Sequence, residues 1–381
     1  MTRMRLDKIT EYLDSVIEEK GLPSYDCIVY KDHEMVYRHM NGYSDKDKTK
    51  KIQSDQRYLI FSMTKIQTMV SIMQLVEQGK ISLEDEVGKY LPAYKKLKVK
   101  KIVDGVEVIE EVSKPLNIAK LISMQSGLDY DLDRAGIKRV LKEKGKKATT
   151  LELVNAFVET PLNFEPGEHF CYSLSHDVAA AIVEVVSGMS FGEYLKKNIW
   201  EPVGMKDTFF AKGDNTGLER LAQQYMCTDS IAPMEQTCNY QLSDSYESGG
   251  AGLVSCTEDY GLLADTLVNG GITKAGVRIL KAETVELFKC NQLSEIGRED
   301  IANTMGRAGY GYSYGMQVFM EPEKFNSPAP AGVFGWDGAA GSCTIMDTAN
   351  RVCLVLMTHV RNCGWLYFEV HPKLRDLLFE E

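Results

Sequence analysis

The sequence predicts an α+β fold: a mainly antiparallel sheet assembled from N- and C-terminal segments and flanked by helices, with a mostly helical domain inserted between them. Three observations predict it. Strand-like runs lie near both ends of the chain, helical periodicities fill the middle, and 381 residues are enough for two packed units at ~150 residues each. The expected sheet domain is 1–65 with 245–381, and the expected helical domain is 66–244 with a hairpin near 99–112. The functional site is expected at their interface.

The elements follow in order. Ile9, Leu13, Val16 and Ile17 recur at helical spacing between Leu6 and Glu19, ending at Gly21-Leu22-Pro23. Two strands, Cys27 to Tyr30 and Met35 to Tyr43, are expected to turn at Asp32-His33. A helix from about Ser62 to Glu77 places Ile66, Met69, Val70, Met73 and Val76 on one face and is stopped by Gly79. Val99 to Val112 alternates around Asp104-Gly105, a hairpin signal. Helices are expected from Thr149 to Val158 behind a Thr149/Glu152 capping box, from Asp177 to Val186, from Phe191 to Ile199, and from Thr257 to Asn269. Near the end, Tyr314 to Met320, Ser342 to Asp347 and Val352 to Thr358 read as strands, and Tyr367 to Phe379 as a helix.

Composition narrows the class of function. The formal net charge is −10, which repels phosphate backbones and anionic lipid, so neither nucleic acid nor membrane is an expected partner. No apolar run reaches the ~20 residues that span a bilayer, and because the start of the chain is charged and amphipathic no signal peptide is expected. Nine cysteines, scattered without a C-x-x-C pair, point to free thiols in a reducing compartment and hence to a cytoplasmic protein. The six histidines show no metal spacing and read as surface or satisfied interior groups. No cofactor is expected. The basic run Lys138 to Lys147 reads as a solvated helix face.

Two serines are chemically suggestive. In Phe61-Ser62-Met63-Thr64-Lys65, residues three apart share a helix face, so the lysine amine can reach the serine hydroxyl. The helix N-terminus favours developing negative charge there. The second, Gly311-Tyr312-Ser313-Tyr314-Gly315, has the form of a nucleophile elbow, with Asp337 or Asp347 and then His359 downstream. An elbow needs a strand before its serine and a helix after it, whereas a strand follows here, so this serine reads as part of a turn.

The first site has company. Cys171-Tyr172-Ser173-Leu174 precedes an apolar helix, and Trp336-Asp337-Gly338-Ala339 falls between two C-terminal strands. In order and spacing these three elements resemble the motifs of the serine β-lactamase and penicillin-binding-protein superfamily, above all the class C β-lactamases and, more so, the family VIII carboxylesterases. The stretches Lys114 to Leu128, Val183 to Met205 and Gly249 to Ser255 are similar to further parts of that family, so the resemblance covers roughly Asp26 to Thr358. It implies a β-lactamase/transpeptidase-like fold. It implies Ser62 as acylated nucleophile, Lys65 and Tyr172 sharing the base role, and the Ser62 and Ala339 N–H groups as oxyanion donors. Substrate contacts would fall to Trp336, Asp337, Gly338 and Leu174.

Departures from the β-lactamase pattern carry the substrate information. Leu174 stands where that pattern has an asparagine, and it cannot hydrogen-bond a substrate amide. Trp336-Asp337-Gly338 replaces Lys-Thr-Gly, exchanging a carboxylate reader for an apolar ring and an acid. An ionised Asp337 ~4 Å from a substrate anion would oppose it by about 4 kcal/mol at an effective dielectric near 20; the alternative, which the sequence leaves open, is that Asp337 points away into a turn. A serine hydrolase cleaving esters of small neutral or cationic acyl compounds is therefore expected. Acyl transfer, D-amino-acid amide or peptide hydrolysis and weak β-lactamase activity use the same acyl-enzyme, and a non-catalytic binding protein is the remaining reading. Gly249-Gly250-Ala251-Gly252 lacks the Lys-Ser/Thr of a phosphate loop and reads as a place where backbone approaches the site closely. Tyr225, Tyr240 and Tyr246 are candidate pocket-lining residues.

Overall fold

The computed structural model describes residues 6–211, 218–238 and 240–380. Seven strands form the main sheet: β1 (Ser24–Lys31), β2 (Glu34–Gly42), β3 (Tyr310–Tyr312), β4 (Gln317–Phe319), β5 (Phe334–Asp337), β6 (Cys343–Asp347) and β7 (Val352–Met357). Their spatial order is β3-β4-β5-β6-β7-β1-β2, antiparallel throughout. The N-terminal hairpin thus completes a sheet begun by the C-terminal meander, with Ile28 opposite Val355 and Val29 opposite Leu354.

The central strands are buried on both faces, and their alternation feeds two cores. Cys27 and Val29 of β1, with Leu354 and Leu356 of β7, meet helices α1 (Asp7–Lys20) and α6 (His371–Phe379) through Ile9, Leu13, Leu374 and Leu377. Ile28, Tyr30, Cys353 and Val355 point the other way, into the larger core shared with α2 (Thr64–Glu77), α3 (Ser175–Ser187) and α4 (Thr257–Val268). Helix α5 (Glu295–Met305) leads toward β3.

The periodicity of α2 anticipates one buried face, yet every residue from Thr64 to Leu75 is buried. Its polar positions are tolerated because tertiary partners take them up. Thr68 Oγ1 donates to the Gly249 carbonyl at 2.6 Å, Trp200 Nε1 to Gln67 Oε1 at 2.6 Å, and Gln74 Nε2 to the Asn198 carbonyl at 3.0 Å. The Thr149/Glu152 capping box is present as expected, and the hairpin Lys98–Val103/Val106–Glu111 turns at Asp104 and Gly105, with φ of 52° and 80°.

Two C-terminal expectations need correction. Tyr314 to Met320 is not one strand: Gly315, at φ 76°, belongs to the turn between β3 and β4. A Cβ there would meet Met69 Cγ at 2.4 Å, so the chain reverses where only glycine fits. Trp336-Asp337 does not lie between strands but ends β5, and Gly338 to Gly341 form the turn into β6.

Candidate active site

Ser62 lies in a 3₁₀ turn, Phe61–Met63, that leads directly into α2. The preceding Phe61 is fully buried at φ 44°, in the left-handed region that a bulky residue rarely adopts. Lys65, one turn on, is wholly buried, with Nζ 3.3 Å from Ser62 Oγ, 3.3 Å from the Tyr130 hydroxyl and 2.7 Å from the Gly250 carbonyl. Its ammonium also sits 4.6 Å from the centre of the Tyr172 ring and 5.2 Å from that of Tyr130. Burial lowers the Lys65 pKa to about 7, against the pull of Asp177 and Asp337.

Tyr172, just before α3, stacks on Tyr130 at 5.4 Å between ring centres and receives the Trp336 indole N–H at 3.0 Å on its hydroxyl. Burial pushes its phenol up, opposed by hydrogen bonds with Ser62 and Trp336. Burial thus favours the neutral form of both groups, the phenol with its proton and the amine without its extra one.

The glycine-rich loop approaches as expected. Gly249 and Gly250 present carbonyls to Thr68 and Lys65, and a Cβ on Gly249 would meet the His176 carbonyl at 2.4 Å. Asp177, fully buried on α3, anchors this loop by accepting from Ser248 Oγ at 2.6 Å and Tyr246 OH at 2.7 Å.

The turn after β5 places Ala339 in the wall of the same cleft as Ser62. The Gly338 N–H donates to the Ser342 carbonyl and the Gly341 N–H to the Gly338 carbonyl, and neither bond uses the Ala339 N–H. A Cβ on Gly338 would meet the Ile60 carbonyl at 2.4 Å, so this glycine lets β5 close on the serine turn. The cleft measures about 540 Å³, and Tyr130, Tyr172, Tyr240, Trp336, Tyr367 and Phe368 supply aromatic walls around Ser62.

A profile of the Beta-lactamase family matches residues 8–363. The chain belongs to the beta-lactamase family. Within it, Esterase EstB of Burkholderia gladioli is 26% identical to this chain over 93% of it and 90% of the relative. A putative D-alanyl-D-alanine carboxypeptidase of Escherichia coli is 25% identical over 93% and 82%. Among solved structures, EstCE1, a hydrolase with promiscuous acyltransferase activity, superposes with a TM-score of 0.78 at 23% identity, covering 98% of both chains. Simvastatin synthase (LovD) from Aspergillus terreus superposes at 0.80 and 18% identity, over 99% of this chain and 98% of that one. These likenesses establish the β-lactamase/transpeptidase-like α+β fold expected from the motifs.

The other sequence-predicted residues of this beta-lactamase family member divide. Leu174 is buried, packs in the larger core before α3 and is not among the residues lining the cleft. Asp337 lines the cleft, but it forms a buried ion pair with Arg307 and lies 3.9 Å from His371 Nδ1. The anion repulsion expected of Asp337 is therefore largely offset by a cation on the same wall. Of the three tyrosines expected at the pocket, Tyr240 lines it. Tyr246 is instead buried against Asp177, and Tyr225 belongs to the core around α1. Ser313 is no nucleophile: it is fully buried and donates to the Phe288 carbonyl at 2.6 Å. His176 is interior, but neither ring nitrogen finds a partner among the described residues, whereas His359 and His371 each bond a carbonyl. Among the described residues no group of three His, Cys, Asp or Glu could hold a metal ion, and no single helix is long and apolar enough to cross a membrane.

Sequence reasoning missed Tyr130, Arg307, Tyr367 and Asp177. Tyr130 follows the Ser126-Gly127-Leu128 turn by two residues and was within reach of the motif. The others come from separate elements and leave no local signal.

Proposed function

We propose that this chain hydrolyses carboxylic esters of small neutral or cationic acyl compounds through an acyl-Ser62 intermediate. By family it is a serine hydrolase, and the names of EstB and EstCE1 favour the ester. The single observation that carries the reading is Ser62 Oγ 3.3 Å from a buried amine whose pKa is brought to about 7.

On this reading, neutral Lys65 takes the Ser62 proton as Oγ attacks the ester carbonyl. The N–H groups of Ser62 and Ala339 hold the oxyanion, each such donor being worth about 3 kcal/mol of barrier. Tyr172, protonated and hydrogen-bonded to Trp336, passes a proton to the leaving alkoxide and is restored from the Lys65 ammonium. Water then repeats the sequence on the acyl-enzyme and releases the acid. The substrate preference rests on the aromatic walls and on the internal neutralisation of Asp337 by Arg307, which takes up the cation that would otherwise read a substrate carboxylate at that wall. The division into sheet domain and helical domain with the site between them, and a reducing, cytoplasmic setting for nine free thiols, belong to the same proposal.

Acyl transfer, amide or D-amino-acid peptide hydrolysis, and β-lactam hydrolysis are separated by one assay. A short-chain neutral ester, a D-alanyl amide and an anionic β-lactam are offered with water alone, then with added alcohol. The proposal predicts free acid from the ester and at least tenfold lower kcat/KM for the β-lactam and the amide. Faster turnover of either, or ester product found only as the transferred acyl group, would overturn it.

A further inference from the structure

The C-terminal helix approaches the catalytic turn through an unusual element. Leu366–Val370 is a single π-helical turn running into α6, and such turns gather at functional sites because the extra residue re-aims neighbouring side chains. Here it places Tyr367 and His371 on the same side. The Tyr367 hydroxyl donates to the Gly338 carbonyl at 2.9 Å, and His371 Nε2 donates to the Gly341 carbonyl at 2.8 Å. The Gly341 N–H in turn donates to the Gly338 carbonyl at 2.9 Å. Gly341 adopts φ 84°, and a Cβ there would meet Leu366 Cδ1 at 2.3 Å, so the turn and the π-helical segment are fitted against each other.

The Gly338 carbonyl and the Ala339 N–H belong to one peptide unit. Two donors on the carbonyl oxygen draw electron density along that unit and make its N–H a better donor, because hydrogen bonds in series polarise one another. They also fix the plane of the peptide, and with it the direction of the N–H. We propose that Tyr367 is a positioning residue that orients and polarises the Gly338–Ala339 peptide as oxyanion donor, with His371 supporting it by holding Gly341. This rests on the acyl-Ser62 reading given above. The state of His371 suits this role. It is buried, its pKa is held down to about 4 chiefly by burial, and it remains a neutral ring whose Nε2–H is committed to the Gly341 carbonyl.

The test compares Tyr367→Phe, His371→Gln and His371→Leu with the native chain. Phenylalanine keeps the ring and removes one donor. Glutamine keeps a donor near the Nε2 position, and leucine removes it. Steady-state ester hydrolysis and the second-order rate of phosphonylation by a fluorophosphonate are measured for each, because both pass through a species with oxygen in the oxyanion site. Tyr367→Phe is expected to lower kcat about tenfold with KM within twofold, and to slow phosphonylation by a similar factor. His371→Leu is expected to lower kcat several-fold, and His371→Gln to restore most of it. If native enzyme is phosphonylated at Ser62 but Tyr367→Phe matches it in both rates, the positioning role is wrong while the acyl-Ser62 reading stands. A loss in Tyr367→Phe that appears in KM rather than kcat also contradicts the role. If native enzyme carries no label on Ser62, the underlying reading fails first.

Discussion

Lys65 is an amine whose surroundings disfavour its charge. Aromatic rings and one carbonyl replace water around it, and its pKa is lowered to about 7, with Asp177 the largest opposing charge. A base must be unprotonated to accept the serine proton, so kcat/KM for an ester is predicted to rise with pH through about 7 and level off above it. The pH profile of the native enzyme checks this; a flat profile from 5.5 to 8.5 would contradict the role. Asp177→Asn removes the charge that supports the ammonium while keeping an acceptor for Tyr246 and Ser248. Its rising limb is predicted to move to lower pH. Lys65→Arg retains the charge but offers no base, and a loss of a hundredfold or more in kcat is expected. These residues show what a sequence can reveal: Ser62 and Lys65 share one helical turn and announce themselves, whereas Asp177 acts on them from another helix and gives no local pattern.

Among the elements, the end of β5 carries the most consequence. It delivers Trp336 to Tyr172, Asp337 to Arg307 and Gly338 to the serine turn within three residues. Asp337→Asn leaves the Arg307 guanidinium buried without its counter-charge, a class of change that costs about 3–5 kcal/mol. Urea denaturation is predicted to show that loss, and a paired Arg307→Leu/Asp337→Leu variant to lose less than Asp337→Asn alone. Equal losses would mean the pair is solvated in practice. The loop Gly249–Gly250 is the second such element. Gly250→Ala would press a methyl group to within 2.7 Å of Asp177 Oδ2 and 2.9 Å of the Tyr130 hydroxyl. It is predicted to cost about 1–3 kcal/mol in stability and to reduce ester turnover, because Lys65 loses its fixed carbonyl partner. Sequence pattern located both elements. It could not give the orientation of Asp337, because Arg307 reaches it from the segment after α5, thirty positions upstream.

At the scale of the molecule, the fold was legible because its two cores leave period-two and helical traces at the chain ends. Cys27 and Val29 against Ile28 and Tyr30 show the two-sided burial of β1 directly. The trace was misleading where tertiary contacts override it, as in α2, whose polar residues are buried with partners, and in the Tyr314 to Met320 run, which Gly315 folds back. Leu374, fully buried between α6 and the sheet, offers a check on the smaller core: Leu374→Ala should cost about 2–5 kcal/mol of unfolding free energy. Every chemical step described above requires Ser62 to be the one acylated nucleophile, and intact-mass labelling with a fluorophosphonate followed by peptide mapping tests that most directly. The predicted result is a single adduct on Ser62, absent from Ser62→Ala and slowed in Tyr172→Phe. An adduct on Ser313, or undiminished labelling of Ser62→Ala, would contradict it.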